Sequence, residues 1–267
     1  MARKFQFYIV PTPIGNIKDI TFRAVEILKE VDIIACEDSR VTQKLLNHYD
    51  IKTKTLSYHK YNERERVDMI LDLLKKGKRL ALVSDAGTPL ICDPGSILLE
   101  ELRKNNISTT SLTGSCAVST FLSQVPRDTE EYTFIGFLPK TEKQIQDIYK
   151  KFKRTNMVFY DSPNRLCKSL KLIQEVSSGI KVAVGRELTK LFEEIFIDDI
   201  ENAIEHFSGE VKGEIVAMTF GVKSDELSEV KDKIEILKEK KFKSKEIVEI
   251  LTTLYELNKN DIKELLY

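Results

Sequence analysis

Three short segments combine glycine with proline or small polar residues, a composition suited to contact with a polar ligand. They are residues 11–16 (PTPIGN), 84–95 (SDAGTPLICDPG) and 113–117 (TGSCA). Glycine lets a ligand approach the backbone closely, and proline stiffens the loop that meets it. Taken singly, each segment reads as a tight turn. Three of them at one edge of a sheet point to a nucleoside-like ligand. Asp85 offers a carboxylate to hydroxyl or amino donors, and Thr88 with the backbone around it can read an adenine edge. None of the segments carries the GK[ST] of a Walker loop or a GxGxxG string, which excludes those two modes of nucleotide binding. Polar clusters form a second group of candidates: Glu37, Asp38 and Arg40; Asp161, Ser162 and Arg165; Arg186, Glu187 and Lys190. Each alone reads as a helix start or a surface ion pair. Gathered at one cleft, carboxylates beside cations supply what proton transfer and anion stabilisation require. His48 and His59 have no partner nearby and are expected to be structural.

The elements that must position these residues follow from the apolar periodicity. Short apolar runs occur at residues 5–10, 33–36, 55–58, 80–83 and 108–112, with helical patterns between them. The clearest is 63–76, where Val67, Ile70, Leu71 and Leu74 fall at i, i+3, i+4 and i+7 and Gly77 stops the helix. Strands separated by helices run parallel, and ligands then bind beyond their carboxyl ends, where the glycine loops stand. A second α/β segment has runs at 132–137, 157–160, 182–184, 195–197 and 215–220, with a charged helix expected within 140–154. Its order is less regular, so the spacing predicts a mixed sheet. Beyond Gly221 a lysine-rich helical tail fits two or three short helices, with Ser244 and Asn258 as N-caps. The expected division is therefore an N-terminal α/β domain over 1–120, a second α/β domain over 121–222 and a small helical domain over 223–267.

Bulk properties restrict the partners. Among 267 residues, 42 Lys and Arg balance 42 Asp and Glu, so RNA binding would need a local basic face. Lys238, Lys240, Lys241, Lys243 and Lys245 make one such cluster. No apolar run approaches the length of a membrane span, and the apolar stretch at 5–10 runs into two prolines, as a strand does and a secretory signal does not. Cys36, Cys92, Cys116 and Cys167 lie far apart with no CxxC pair, which argues against zinc and for cytosolic free thiols. No metal site is expected, and the protein is placed in the cytoplasm.

Six strings in order carry a specific resemblance: PTPIGNIKDIT, IIACEDSR, LVSDAGTPLICDPG, GFLPK, FYDSPNR and GRELTKLFEE. Over residues 5–221 the sequence resembles the bacterial 16S rRNA (cytidine 2′-O)-methyltransferases of the tetrapyrrole-methylase (class III S-adenosylmethionine methyltransferase) superfamily. The tail is similar to that family's small C-terminal domain. The resemblance implies two α/β domains with the methyl donor, S-adenosylmethionine, folded into the cleft between them, a homodimer, and 16S rRNA in the small subunit as acceptor. It places the donor against Pro13, Ile14, Asp85, Ala86, Gly87, Thr88, Pro89, Leu90, Cys116 and Ala117. This sequence departs from the family pattern where Asp161 replaces a glutamate, Asn164 a histidine, and Thr113 and Ser115 prolines.

Methyl transfer from a sulfonium is an in-line displacement that needs alignment and a dry pocket and gives no obligatory role to a metal. A ribose 2′-hydroxyl is a weak acid; a carboxylate can take its proton as the new bond forms, and a cation can stabilise negative charge on the oxygen. Glu187 with Lys190 and Arg186 supplies a base and cations, and Glu37 or Asp38 could serve instead. The competing readings are a superfamily methyltransferase acting on a porphyrinoid or a protein side chain, and a non-catalytic RNA- or nucleotide-binding module.

Overall fold

The computed structural model describes residues 5–222, 226–255 and 258–266. Its first sheet is wholly parallel. Strands β1 (Phe7–Ile9), β2 (Ile33–Cys36), β3 (Lys54–Ser57), β4 (Leu80–Val83) and β5 (Thr109–Ser111) alternate with helices α1 (Phe22–Glu30), α2 (Ser39–His48), α3 (Glu63–Lys75) and α4 (Ser96–Lys104). The side-chain alternation of a strand assigns the two faces. Phe7, Ile9, Leu80 and Leu82 point to α3 and α4, packing on Val67, Ile70, Leu74, Leu98 and Leu102. Their neighbours Tyr8, Ala81 and Val83 point the other way, onto Ala24 and Leu28 of α1 and Leu46 of α2. Both faces are covered, so the central strands read as unbroken apolar runs.

Strand order is β3-β2-β4-β1-β5. Right-handed crossovers send the chain one way across the sheet under α1 and α2 and back the other way under α3 and α4. Adjacent β1 and β4 therefore feed helices on opposite faces, and their loops part to leave a crevice at the carboxyl edge. The 11–16 and 84–95 segments are those two loops.

Helix α5 (Ala117–Leu122) leads to the second sheet. Its strands are β6 (Tyr132–Phe137), β7 (Asn156–Asp161), β8 (Lys181–Arg186), β9 (Glu194–Asp199) and β10 (Ile215–Thr219), with helices α6 (Glu142–Phe152), α7 (Leu166–Gln174) and α8 (Ile200–His206). The order is β6-β7-β10-β8-β9, and only the β6–β7 pairing is parallel. Helices α6 to α8 cover one face through Tyr149, Leu170 and Ile200. The other face carries Val158, Ala183, Val216 and Met218. It packs on Val118, Phe121 and Leu122 of α5 and on Ile14 from the first loop. One apolar cluster thus joins the two sheets, with Ile14 at the seam.

The tail forms α9 (Glu226–Glu239), α10 (Ser244–Tyr255) and α11 (Lys259–Leu266), which bury Ile234, Ile247, Leu251 and Ile262 among themselves. Asn258 caps α11, its side chain accepting from the Asn260 amide at 2.9 Å. The expected cap at Ser244 is displaced by one residue. The Lys243 carbonyl accepts the first helical bond, from Ile247, and the Glu246 carboxylate returns to the Lys243 amide at 2.7 Å. A glutamate reaching back in this way supplies the half of a capping box that does not need serine at the cap.

Candidate active site

The three glycine loops are stitched together. Thr12 and Gly87 exchange backbone hydrogen bonds of 2.8 and 3.0 Å, and the Thr12 hydroxyl donates to the Ser84 carbonyl at 3.0 Å. The Thr88 hydroxyl donates to the Ser115 carbonyl at 2.9 Å, tying the second loop to the third. Gly87 has φ of +78°, a backbone that L side chains adopt only under strain. Opposite these loops stands the turn after β8. The Asn16 amide donates to the Thr189 hydroxyl at 3.0 Å, and a Cβ on Gly15 would fall 2.5 Å from Lys190 Cγ, so the two halves meet backbone to side chain there. Leu90, Cys92, Glu187 and Thr189 all have positive φ. Non-glycine residues held in this region cost free energy and gather where function fixes the backbone.

Between the sheets lies a cleft of about 430 Å³, within the range of small-molecule sites. Of the expected donor-binding residues, Ile14, Asp85, Ala86, Thr88, Cys116 and Ala117 line it. Pro13, Gly87, Pro89 and Leu90 are outside the lining. Gly87 and Pro89 are buried beneath it, Pro13 is half-buried, and Leu90 packs against the first core. Asp85 also accepts from the Asp38 amide at 3.0 Å. Asp38 caps α2 and chelates Arg40, whose guanidinium holds its carboxyl down at about 2, so this pair belongs to the helix start.

The expected catalytic residues stand just behind the wall. Glu187 accepts from Lys190 Nζ at 2.7 Å and from the Glu214 amide at 3.0 Å, while Lys190 also meets the Glu214 carboxylate at 3.0 Å. Burial pushes the Glu187 carboxyl up, but these partners outweigh it and hold it below the ordinary range. Arg186 is turned to Glu194 at 2.8 Å. Of this stretch it is Leu188 that lines the cleft, with Glu214 across the Lys190 bridge. Glu37 is outside the lining, its carboxyl raised by burial and by Asp85.

Several lining residues escape a reading of the sequence. Asp93 follows two left-handed residues into the cleft, and burial, with Glu37 and Asp85 nearby, pushes its carboxyl up to about 6 against a Ser84 hydrogen bond. Phe137 and Tyr160 form part of the far wall, together with Asp161 and Ser162 of the cluster that the sequence does single out. Asp161 is buried and fully engaged by Ser169, the Ser162 amide and Arg165. Gly213 to Val216 also line the cleft, at the amino end of β10. The carboxyl-end rule misses them because β10 is antiparallel to its neighbours. Ile215 pairs with both Asp161 and Arg186, the last residues of β7 and β8. Among the described residues no group of three His, Cys, Asp or Glu could hold a metal ion, and no helix is long and apolar enough to cross a membrane.

The sequence profile of the Tetrapyrrole (Corrin/Porphyrin) Methylases matches residues 6–204. The chain belongs to the tetrapyrrole methylase family. Within it, the chain is similar to ribosomal RNA small subunit methyltransferase I of Vibrio cholerae serotype O1, 38% identical over 263 residues, 95% of this chain and 91% of that one. The protein of the same name from a Hydrogenobaculum species is 43% identical over 217 residues, which is 79% of this chain and 94% of the relative. Among solved structures, diphthine synthase superposes with a TM-score of 0.65 at 12% identity, over 80% of this chain and 89% of that one. A cobalt precorrin-4 methyltransferase gives 0.58 at 19%, over 80% and 94%. These two share the methylase fold, and the family makes methyl transfer the chemistry of the cleft.

Proposed function

We propose that this protein transfers the methyl group of S-adenosylmethionine to the ribose 2′-hydroxyl of a cytidine in 16S ribosomal RNA, within the small ribosomal subunit and in the cytoplasm. The observation that carries the reading is an intact cleft of stitched glycine loops in a chain whose relatives, 38 and 43% identical over nearly their whole lengths, are named for small-subunit ribosomal RNA methylation. The donor brings an electrophilic methyl on a sulfonium, so the protein must supply alignment and walls that exclude water rather than a Lewis acid. Ile14, Asp85, Ala86, Thr88, Cys116 and Ala117 hold the donor, while Pro13, Gly87, Pro89 and Leu90 shape the loops beneath them. A buried floor, backbone groups locked by Thr12 and Thr88, and an exposed carboxylate at Asp85 fit a nucleoside with ribose hydroxyls.

Proton removal falls to a carboxylate that faces the substrate. We assign it to Asp93, which lines the cleft and whose carboxyl, up at about 6, ionises near the operating pH where general bases work best. Glu187 is the weaker candidate, because Lys190 and the Glu214 amide already occupy its oxygens. It acts with Lys190 and Arg186 as a brace for the cleft wall, and Glu37 keeps the Asp93 carboxyl high. A homodimer completes the reading. Leu191 and Phe192, 88% and 69% exposed beside the seam, are apolar surface that a second copy would cover. The test is a mass map of 16S RNA from cells lacking the protein. One 2′-O-methylcytidine should be missing and return on complementation, whereas an unchanged map would overturn the reading.

A further inference from the structure

The GFLPK segment, residues 136–140, has no part in donor binding or proton transfer, yet it is held with unusual care. Strand β6 falls out of step with β7 near its end. Phe134 pairs with Val158 and Phe137 with Tyr160, three residues against two. Gly136 lies within this irregularity at φ of +73°, and a Cβ there would approach Cys92 Sγ to 3.2 Å, so the bulge seats against the 84–95 loop. A bulge of this kind re-aims the side chain beside it. Here it turns Phe137 into the cleft lining, where the ring stays 65% exposed and lies 5.3 Å from the Tyr160 ring. The following residues are pinned. The Leu138 side chain is buried in the second core and its amide donates to the Tyr160 carbonyl at 3.0 Å. Arg165 donates to the carbonyls of Leu138 and Pro139 at 3.3 and 2.6 Å, and is itself fixed by buried Asp161 at 3.3 Å.

A single exposed phenylalanine is ordinary on a protein surface. One re-aimed by a bulge, clamped by an arginine and set in the wall of a substrate cleft presents a flat apolar face to whatever enters. Asp93 lines the same cleft and is within electrostatic reach of Tyr160. A nucleotide whose 2′-hydroxyl meets Asp93 carries its base on the adjacent C1′ carbon, inside the cleft that the Phe137 ring also lines. We propose that Phe137 is the stacking platform for the base of the nucleotide being methylated, with Arg165 as the residue that positions it. The proposal rests on the reading of the cleft as an RNA 2′-O-methyltransferase site. Stacking suits single-stranded RNA, whose unpaired bases can be splayed onto aromatic rings, and tolerates any base, so cytidine selection lies elsewhere.

The experiment measures KM for small ribosomal subunits, kcat, and donor Kd by calorimetry for the wild type, Phe137→Ala, Phe137→Leu, Phe137→Tyr and Arg165→Gln. Phe137→Ala and Phe137→Leu should raise KM for subunits roughly ten- to a hundredfold, the usual cost of losing one base–aromatic stack, with donor Kd unchanged. Phe137→Tyr should restore it, and Arg165→Gln, which keeps the ring but frees it, should raise the same KM by a smaller factor. If Phe137→Leu matches the wild type, the ring is only apolar lining and the platform is refuted. If donor Kd rises while KM for subunits does not, the ring serves the donor and the proposal is equally refuted. A wild-type protein that methylates no subunits would bring down the underlying reading and this one with it, an outcome visible before any variant is made.

Discussion

Asp93 and Glu187 are both carboxylates beside the cleft, and their surroundings shift them in opposite directions. Asp93 faces the cavity among other acids and is pushed up to about 6, whereas Glu187 is turned into a lysine and a backbone amide and held low. Asp93→Asn should cut turnover on small subunits by roughly 10²–10⁴ with donor affinity little altered, the usual loss when a general base is removed. In the wild type, kcat/KM should rise with pH through about 6 and then level, because only the ionised Asp93 accepts a proton. Stability moves the other way. The native state keeps the Asp93 proton between its ordinary value of 3.8 and about 6, so folding stability falls as pH rises across that window. Asp93→Asn should therefore melt higher than the wild type at neutral pH, with the gap closing near pH 4. Glu187→Gln should instead lower stability by about 1–3 kcal/mol, the cost of weakening charged hydrogen bonds, with a modest loss of activity. Loss of turnover at Glu187 without loss of stability would reverse the two assignments. The sequence displays both carboxylates, but which one faces the cavity depends on tertiary contacts: Gly213 and Glu214 come to Glu187 from just before β10, and Glu37 comes to Asp93 from just after β2.

At the scale of elements, the gathering of the three glycine loops was legible because their chemistry is local. Glycine, proline and small polar residues follow apolar runs whose spacing demands parallel strands, and the carboxyl-end rule then says where they gather. Gly87→Val tests the central loop. A β-branched residue at φ of +78°, with its Cβ 3.3 Å from Ile14 Cγ2, strains the turn that pairs with Thr12. Donor binding should weaken by roughly 1–3 kcal/mol in calorimetry, the usual scale of such strain, and unchanged affinity in a folded variant would remove this loop from the site. Of the far wall only the Asp161 and Ser162 cluster was legible. The start of β10 is brought to the ligand edge by antiparallel pairing, which no local pattern announces, and the bulge that turns Phe137 inward is a mismatch between two strands rather than a property of either. The N-cap of α10 falls on lysine because Glu246, three residues on, supplies the cap's carboxylate.

For the whole molecule, the two sheets meet over Ile14 and the 188–190 turn, while the tail helices keep a core of their own. The Hydrogenobaculum relative is matched over 94% of its length by 217 residues and is thus shorter than this chain. Lys238, Lys240, Lys241, Lys243 and Lys245 are all exposed around the α9–α10 turn, with Lys238 paired to Glu235. We propose that this face grips the ribosomal RNA. Replacing the five lysines by glutamine should leave donor binding intact, weaken subunit binding and flatten its salt dependence, because fewer counterions are released. An unchanged salt slope would leave the cluster a solvated helix face. The most direct test of the central claim is transfer itself. Purified protein is incubated with labelled S-adenosylmethionine and small subunits from cells that lack it, and the RNA is digested and analysed by mass. The account predicts label in a single 2′-O-methylcytidine; label on a nucleobase, on ribosomal protein, or nowhere in the subunit would contradict it.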